Sequence, residues 1–156
     1  MIVELLPAGE LFGIVVLLED QPYPLTARAQ SAAVVLRIPK WIIDQLAASY
    51  PALLNGILHI ISGRLRSSHN VARALAHDRV EVRIAAILQA LISRLGLGKD
   101  YCIEISRQAI ADLTGVTLET ASRVCKTLER NGILDLSQYG VVKICDIEQL
   151  TKIAAL

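Results

Sequence analysis

The chain has 156 residues, with 16 Lys and Arg against 15 Asp and Glu for a net charge of +1, and 53% of it is hydrophobic. This length suits one ordinary domain or two small ones, and a mean hydropathy of +0.47 is rich enough to suggest apolar surface meant for a partner chain. The charge balance excludes a global basic footprint for nucleic acid, so any phosphate-binding surface must be built by placing a few cations together. Three cysteines, Cys102, Cys125 and Cys145, are an odd count without CxxC spacing, which argues against a zinc site or a disulfide framework and makes core thiols the expectation. Apolar runs such as 14–18 and 32–36 are strand-sized, far below the roughly 20 residues of a membrane span. The opening Met1-Ile-Val-Glu-Leu-Leu-Pro lacks the basic stretch of a signal peptide, so a cytoplasmic location with no membrane partner is expected.

Residues 1–38 read as short strands between turn signals: 2–6, Pro7-Ala8-Gly9, an apolar stretch, Gln21-Pro22-Tyr23-Pro24, then 25–29 and 32–38. Pro39 closes this β-textured part, and Trp41, Ile42, Leu46 and Ala47 mark a short helix over 41–48. After Tyr50-Pro51 comes a long helix. Leu54, Leu58, Ile61, Leu65, Ser68, Ala72 and Leu75 recur at alternating spacings of three and four, a heptad seam that predicts self-association, with Gly56, Gly63 and Ser68 permitting close approach. A helix packed inside one protomer is the alternative.

His77-Asp78 breaks the pattern, and Ile84, Ile87, Leu88, Leu91 and Leu95 mark a second amphipathic helix that ends at a hinge, Gly96-Leu97-Gly98. The predicted organisation is thus a β-textured part over 1–50, a long self-associating helix over 51–76 and a separate lobe over 77–156.

In the last lobe Cys102-Ile103-Glu104-Ile105 alternates like a strand, and Ser106 caps a helix over 107–113. Thr114-Gly115-Val116 turns the chain, Thr117 caps a second helix over 118–131, and Gly132 stops it. Ile110, Ala111, Val116, Ala121 and Val124 form the contact face, where Ala111 must be small for the helices to cross and Gly115 must allow the sharp turn. This is helix-turn-helix spacing. The second helix of such a motif enters the major groove, which makes Glu119, Ser122 and Arg123 the candidate base readers, with Leu118 and Lys126 on the same exposed turns. Arg bonds guanine O6 and N7 together, Glu accepts from cytosine N4, and Ser serves a base or a phosphate. A dipole-complementing Glu119 paired with Arg123 across one turn is the structural alternative. Residues 133–136 and 141–145 make a hairpin over Ser137-Gln138-Tyr139-Gly140, a wing, and 147–154 forms a covering helix. Arg107, Gln108, Thr117, Thr120, Lys126 and Lys143 are candidates for the DNA backbone.

Ile105-Ser-Arg-Gln-Ala-Ile-Ala-Asp-Leu-Thr-Gly-Val-Thr-Leu-Glu-Thr-Ala-Ser-Arg-Val, followed by Leu128-Glu-Arg-Asn-Gly-Ile-Leu, resembles the Crp/Fnr superfamily of bacterial transcription regulators. The resemblance covers essentially the whole chain, and Glu119, Ser122 and Arg123 stand where the Fnr-like branch carries its base readers. It implies an α+β fold with a partial cyclic-nucleotide-binding-type β-roll, a long dimerisation helix and a C-terminal winged helix-turn-helix. It also implies a homodimer on a two-fold symmetric operator with TTGAT-like half-sites, and makes RNA polymerase a candidate partner alongside double-stranded DNA. Gly9-Glu-Leu-Phe-Gly13 and Tyr23-Pro-Leu-Thr-Ala-Arg-Ala29 resemble the second half of the family's sensory roll. Its front strands have no counterpart ahead of Met1, so an N-terminally short member with exposed strand edges is expected.

Two departures bear on a ligand. Ile14 stands where the nucleotide-binding branch has Glu, and Pro24-Leu25 where it has its phosphate-gripping Arg-Ser pair, so cyclic AMP is not expected and no cofactor is evident. The iron-sulfur members' N-terminal cysteines are not visible before Cys102, and His59, His69 and His77 match no haem-ligand position of the family and read as solvated or interfacial. Without a nucleophile beside a base, a metal cluster or a phosphate-cradling loop, no enzyme activity is expected. The competing reading is a protein-interaction module whose dimeric winged helix binds DNA only non-specifically.

Overall fold

The structure, a computed structural model, describes residues 2–19, 21–30, 32–95 and 101–156. The predicted hinge at 96–98 lies outside them. The chain divides into two compact units, one made of Met1–Ala8 with Asn70–Leu156 and the other of Gly9–His69.

In the first unit the C-terminal end of α3 (Ala52–His77) is followed by α4 (Val80–Leu95), β1 (Cys102–Glu104), α5 (Arg107–Thr114), α6 (Leu118–Arg130), β2 (Leu134–Asp135), β3 (Val141–Ile144) and α7 (Ile147–Ala154). Asp78 N closes the last turn of α3 on Ala74 O at 2.9 Å, and Arg83 Nη1 reaches Leu75 O at 3.4 Å across the corner into α4. The strands form one antiparallel sheet in the order β1-β3-β2, with Cys102 opposite Lys143 and Leu134 opposite Ile144. Alternation along each strand sends Ile103, Leu134, Val142 and Ile144 inward. They meet Ile84 and Leu88 of α4, Ile110 of α5, Leu128 of α6 and Leu150 of α7 in one continuous core. Each of these side chains contributes about 1.5–3 kcal/mol by leaving water. Ile2 and Leu5 pack on the same core, and Glu4 Oε1 accepts from Arg94 Nη2 at 3.3 Å.

The second unit carries α1 (Ile14–Glu19), α2 (Lys40–Ser49) and most of α3. Here the sequence expectation needs correction. Among the described residues up to 38 there is no strand: the run at 14–18 is helical, and 2–6, 25–29 and 32–38 lie in no sheet. The β-textured pattern is present, but a strand exists only where a neighbour takes up its backbone hydrogen bonds, and no described residue of this segment supplies one. Val34, Val35 and Leu36 are 102%, 65% and 83% exposed as a result. The Gly9-to-Gly13 loop is shaped, with φ of +84° and +81° at its two glycines. It is held to α3 by Arg64, which pairs with Glu10 at 3.5 Å and donates to Leu11 O.

Among the described residues no single helix is long and apolar enough to cross a membrane.

Candidate nucleic-acid interface

The helix pair α5 and α6 is set by its termini. Ser106 Oγ accepts from Ala109 N at 3.1 Å and so caps α5, and Thr114 Oγ1 returns to Ile110 O at 2.7 Å at its other end. Gly115 then turns the chain in the left-handed region, φ +65° and ψ +38°, donating to Ala111 O. A Cβ at Gly115 would lie 2.9 Å from Leu75 Cδ2, the movable end of an exposed side chain, so it is the left-handed backbone that selects glycine. Val116 N bonds Ala111 O at 3.1 Å, and Thr117 Oγ1 accepts from Thr120 N at 3.2 Å to start α6. Ala111 and Ala121 are fully buried where the helices cross. Past Arg130 the chain bends back, with Gly132 at φ +72°, Gly132 N on Glu129 O at 2.9 Å and Ile133 N on Leu128 O at 3.0 Å.

This framework leaves one face of α6 free. Glu119, Ser122, Arg123, Lys126, Glu129 and Arg130 line an open depression of about 570 Å³ along it. The predicted readers Glu119, Ser122 and Arg123 are thereby brought together, with Lys126 next in line. Glu129 and Arg130 continue the stripe and escaped the sequence reading, although their spacing of three and four from Lys126 carried the signal. Arg130 Nη2 donates to Thr127 Oγ1 at 3.0 Å, and Thr127 Oγ1 donates to Arg123 O at 3.1 Å.

The predicted backbone-contact residues are more scattered. Thr117 and Thr120 are joined by their hydroxyls at 3.0 Å at the start of α6, and Gln108 Nε2 donates to Asp112 Oδ1 at 3.3 Å along α5. Arg107 is half-buried at the start of α5, and Lys143 is exposed on β3.

The wing is the β2-β3 hairpin. Asp135 Oδ1 accepts from Ser137 N at 2.9 Å, and Val141 N closes on Gln138 O at 3.2 Å. The Ser137 backbone bond, then its hydroxyl, with help from the Lys143 charge, hold the Asp135 carboxyl below the usual carboxylate range. Tyr139 stands at the tip, fully exposed. Glu129 Oε1 accepts from Leu136 N at 3.1 Å, tying α6 to the strand side of the wing.

The cysteine expectation is only partly met. Cys125 is buried, and burial pushes its thiol up, opposed by the charge of Arg107. Cys102 and Cys145 are exposed instead, because β1 turns Ile103 inward and Cys102 outward, while Ile144 takes the inward place beside Cys145. His59, His69 and His77 are exposed on α3, and no group of three or more metal-ligating side chains occurs among the described residues. Ile14 is buried at the start of α1, whereas Pro24 and Leu25 are exposed.

The seam residues of α3 mostly face outward in the single chain: Leu54, Leu58, Leu65 and Leu75 are 45%, 57%, 55% and 41% exposed. Ser68 and Ala72 are exposed and Ile61 is half-buried, while the inward residue of α3 is Ile57, which the heptad reading passed over. Leu75 also meets the Gly115 turn described above.

Residues 82–153 match the Crp-like helix-turn-helix domain. The anaerobic regulatory protein of Haemophilus influenzae is 28% identical over 149 residues, covering 93% of this chain and 57% of that protein. Electron transport regulator A of Shewanella oneidensis is 26% identical over 138 residues, covering 86% of this chain and 55% of the other. The chain therefore spans about half the length of the relatives it matches. Among solved structures, a Crp/Fnr-family transcriptional regulator from Thermus thermophilus superposes with a TM-score of 0.62 at 25% identity, covering 68% of this chain and 56% of that one. FixK2 from Bradyrhizobium japonicum gives a TM-score of 0.68 at 23% identity over 76% of this chain and 60% of its own, a likeness of fold. The domain match, the relatives that align over most of the chain and the shared fold agree: this α+β protein carries a Crp-like helix-turn-helix domain over residues 82–153 and is similar to transcriptional regulators of the Crp/Fnr family.

Proposed function

We propose that the protein is a sequence-specific DNA-binding transcription regulator that acts as a homodimer on a two-fold symmetric operator with TTGAT-like half-sites. The observation that carries this reading is the free face of α6, where Glu119, Ser122 and Arg123 stand together on the second helix of a capped helix-turn-helix. Arg123 supplies a fork for a guanine, Glu119 an acceptor for a cytosine amino group, and Ser122 a hydroxyl for a base or phosphate. Lys126, Arg130 and the N-terminal turns of α5 and α6 address phosphates, with Arg107, Gln108, Thr117, Thr120 and Lys143 at their margins. The outward stripe from Leu54 to Leu75 is the dimer seam, which suits a two-fold operator and leaves RNA polymerase as the candidate protein partner of the bound dimer. Residues 1–50 form the sensory part, 51–76 the dimerisation part and 77–156 the DNA-binding part. Ile14, Pro24 and Leu25 offer neither cation nor acceptor to a cyclic nucleotide, so cyclic AMP is not its effector.

Fluorescence anisotropy on a symmetric duplex carrying two TTGAT-like half-sites, against a shuffled duplex and across a salt series, tests this. The symmetric duplex should bind at least about a hundredfold tighter at every salt concentration. Equal affinities would support the protein-interaction reading instead.

A further inference from the structure

A carboxylate in the stripe that faces phosphates calls for an explanation. Glu129 lines the same depression as Arg123, Lys126 and Arg130, where a free negative charge would repel the DNA backbone. Its Oε1, however, accepts the Leu136 N–H at 3.1 Å. Leu136 directly follows β2 and leads into the wing turn, which is shaped by Ser137 N on Asp135 Oδ1 and Val141 N on Gln138 O and tied to the end of β1 by Ile105 N on Gly140 O at 2.8 Å. The sheet and the core hold the β3 side of the wing. On the β2 side Glu129 adds a direct bond to α6, holding one half-buried backbone donor from the last turn of the helix, just before the bend at Gly132.

We propose that Glu129 is a positioning residue for DNA binding: its carboxylate locks the wing to the recognition helix, so that the Tyr139 tip and the Arg123–Lys126 face meet the duplex as one rigid surface. The proposal rests on the DNA-binding reading above. The side chain touches no base. A hydrogen bond to a charged acceptor that also satisfies a half-buried amide is of the strength that orders a short hairpin.

Glu129→Gln keeps an acceptor oxygen and removes the charge, whereas Glu129→Ala removes both. Amide hydrogen exchange of the DNA-free proteins and anisotropy on the symmetric duplex, measured for wild type and both variants, separate the roles. Glu129→Ala should speed exchange at Leu136 about tenfold or more, leave Leu128 in the core unchanged, and weaken binding by about five- to tenfold. Glu129→Gln should keep the Leu136 amide slow and bind at least as tightly as wild type. Matched affinities of wild type and Glu129→Ala would overturn the proposal, as would a Glu129→Gln protein that falls as far as Glu129→Ala. Faster exchange at Leu128 in Glu129→Ala would also overturn it, by showing loss of the core rather than of the wing angle. Wild-type protein that fails to prefer the symmetric duplex would sink the DNA-binding reading itself, whereas wild-type preference with unaltered variants would sink the positioning role alone.

Discussion

Arg123 stands one turn beyond Glu119 on the exposed face of α6, and its replacement tests sequence reading against mere attraction to phosphate. Arg123→Ala should weaken binding to the symmetric duplex by about 1 to 3 kcal/mol and relax discrimination at one base pair per half-site, measured by anisotropy on single-substitution duplexes. Lys126→Ala should instead weaken all duplexes nearly alike and lower the salt slope by about one. Intact base preference in Arg123→Ala would reassign the reader. The cysteines make a second residue-scale test. Cys102 and Cys145 are exposed and Cys125 is buried with its thiol pushed up, so a thiol reagent on the native protein should modify two sites and reach the third only on unfolding. The raised pKa carries a sign. A thiol that ionises less readily when folded contributes its full stability below the ordinary thiol value and loses it as pH rises through and beyond that value. Labelling of Cys125 should therefore increase towards alkaline pH.

At the scale of elements, the helix-turn-helix was legible because each of its boundaries has a local cause. Ser106, Thr117 and Gly132 act within a few residues of themselves, so α5, α6 and the bend after them follow from side chains the sequence displays in order. Gly115 adds a contact the sequence does not display, since Leu75 lies 40 positions earlier and approaches to 2.9 Å of the missing Cβ. Gly115→Ala should lower stability by about 1–2 kcal/mol through the left-handed backbone alone, with more if Leu75 fails to shift, as read from denaturant midpoints. Pairing it with Leu75→Ala should recover only the contact part. An unchanged midpoint in Gly115→Ala would contradict the turn geometry. The Glu129–Leu136 bond was illegible for a related reason: it depends on where a hairpin seven residues away comes to rest. The strands expected before residue 38 failed on different grounds. Alternation identifies a chain fit for a sheet, but pairing is a property of two segments, and among the described residues the second is missing.

For the whole molecule, the question is what the outward face of α3 is for. A heptad periodicity cannot by itself tell a coiled-coil seam from a core helix. The exposure of Leu58 and Leu65, 57% and 55%, now distinguishes them from Ile57, which faces inward. Leu58→Glu with Leu65→Glu should give monomers in sedimentation velocity, leave the far-ultraviolet circular dichroism unaltered, and remove binding to the symmetric duplex. Dimers retained by this variant would place the self-association surface elsewhere.

Selection of the purified protein against a random duplex library probes the central claim without presupposing an operator. The recovered sequences should converge on an inverted repeat with half-sites about one helical turn apart, centre to centre, and Arg123→Ala should recover the same repeat with one position in each half degenerate. A library that emerges without an enriched motif, or with a single unrepeated one, would contradict the dimeric, sequence-reading regulator described above.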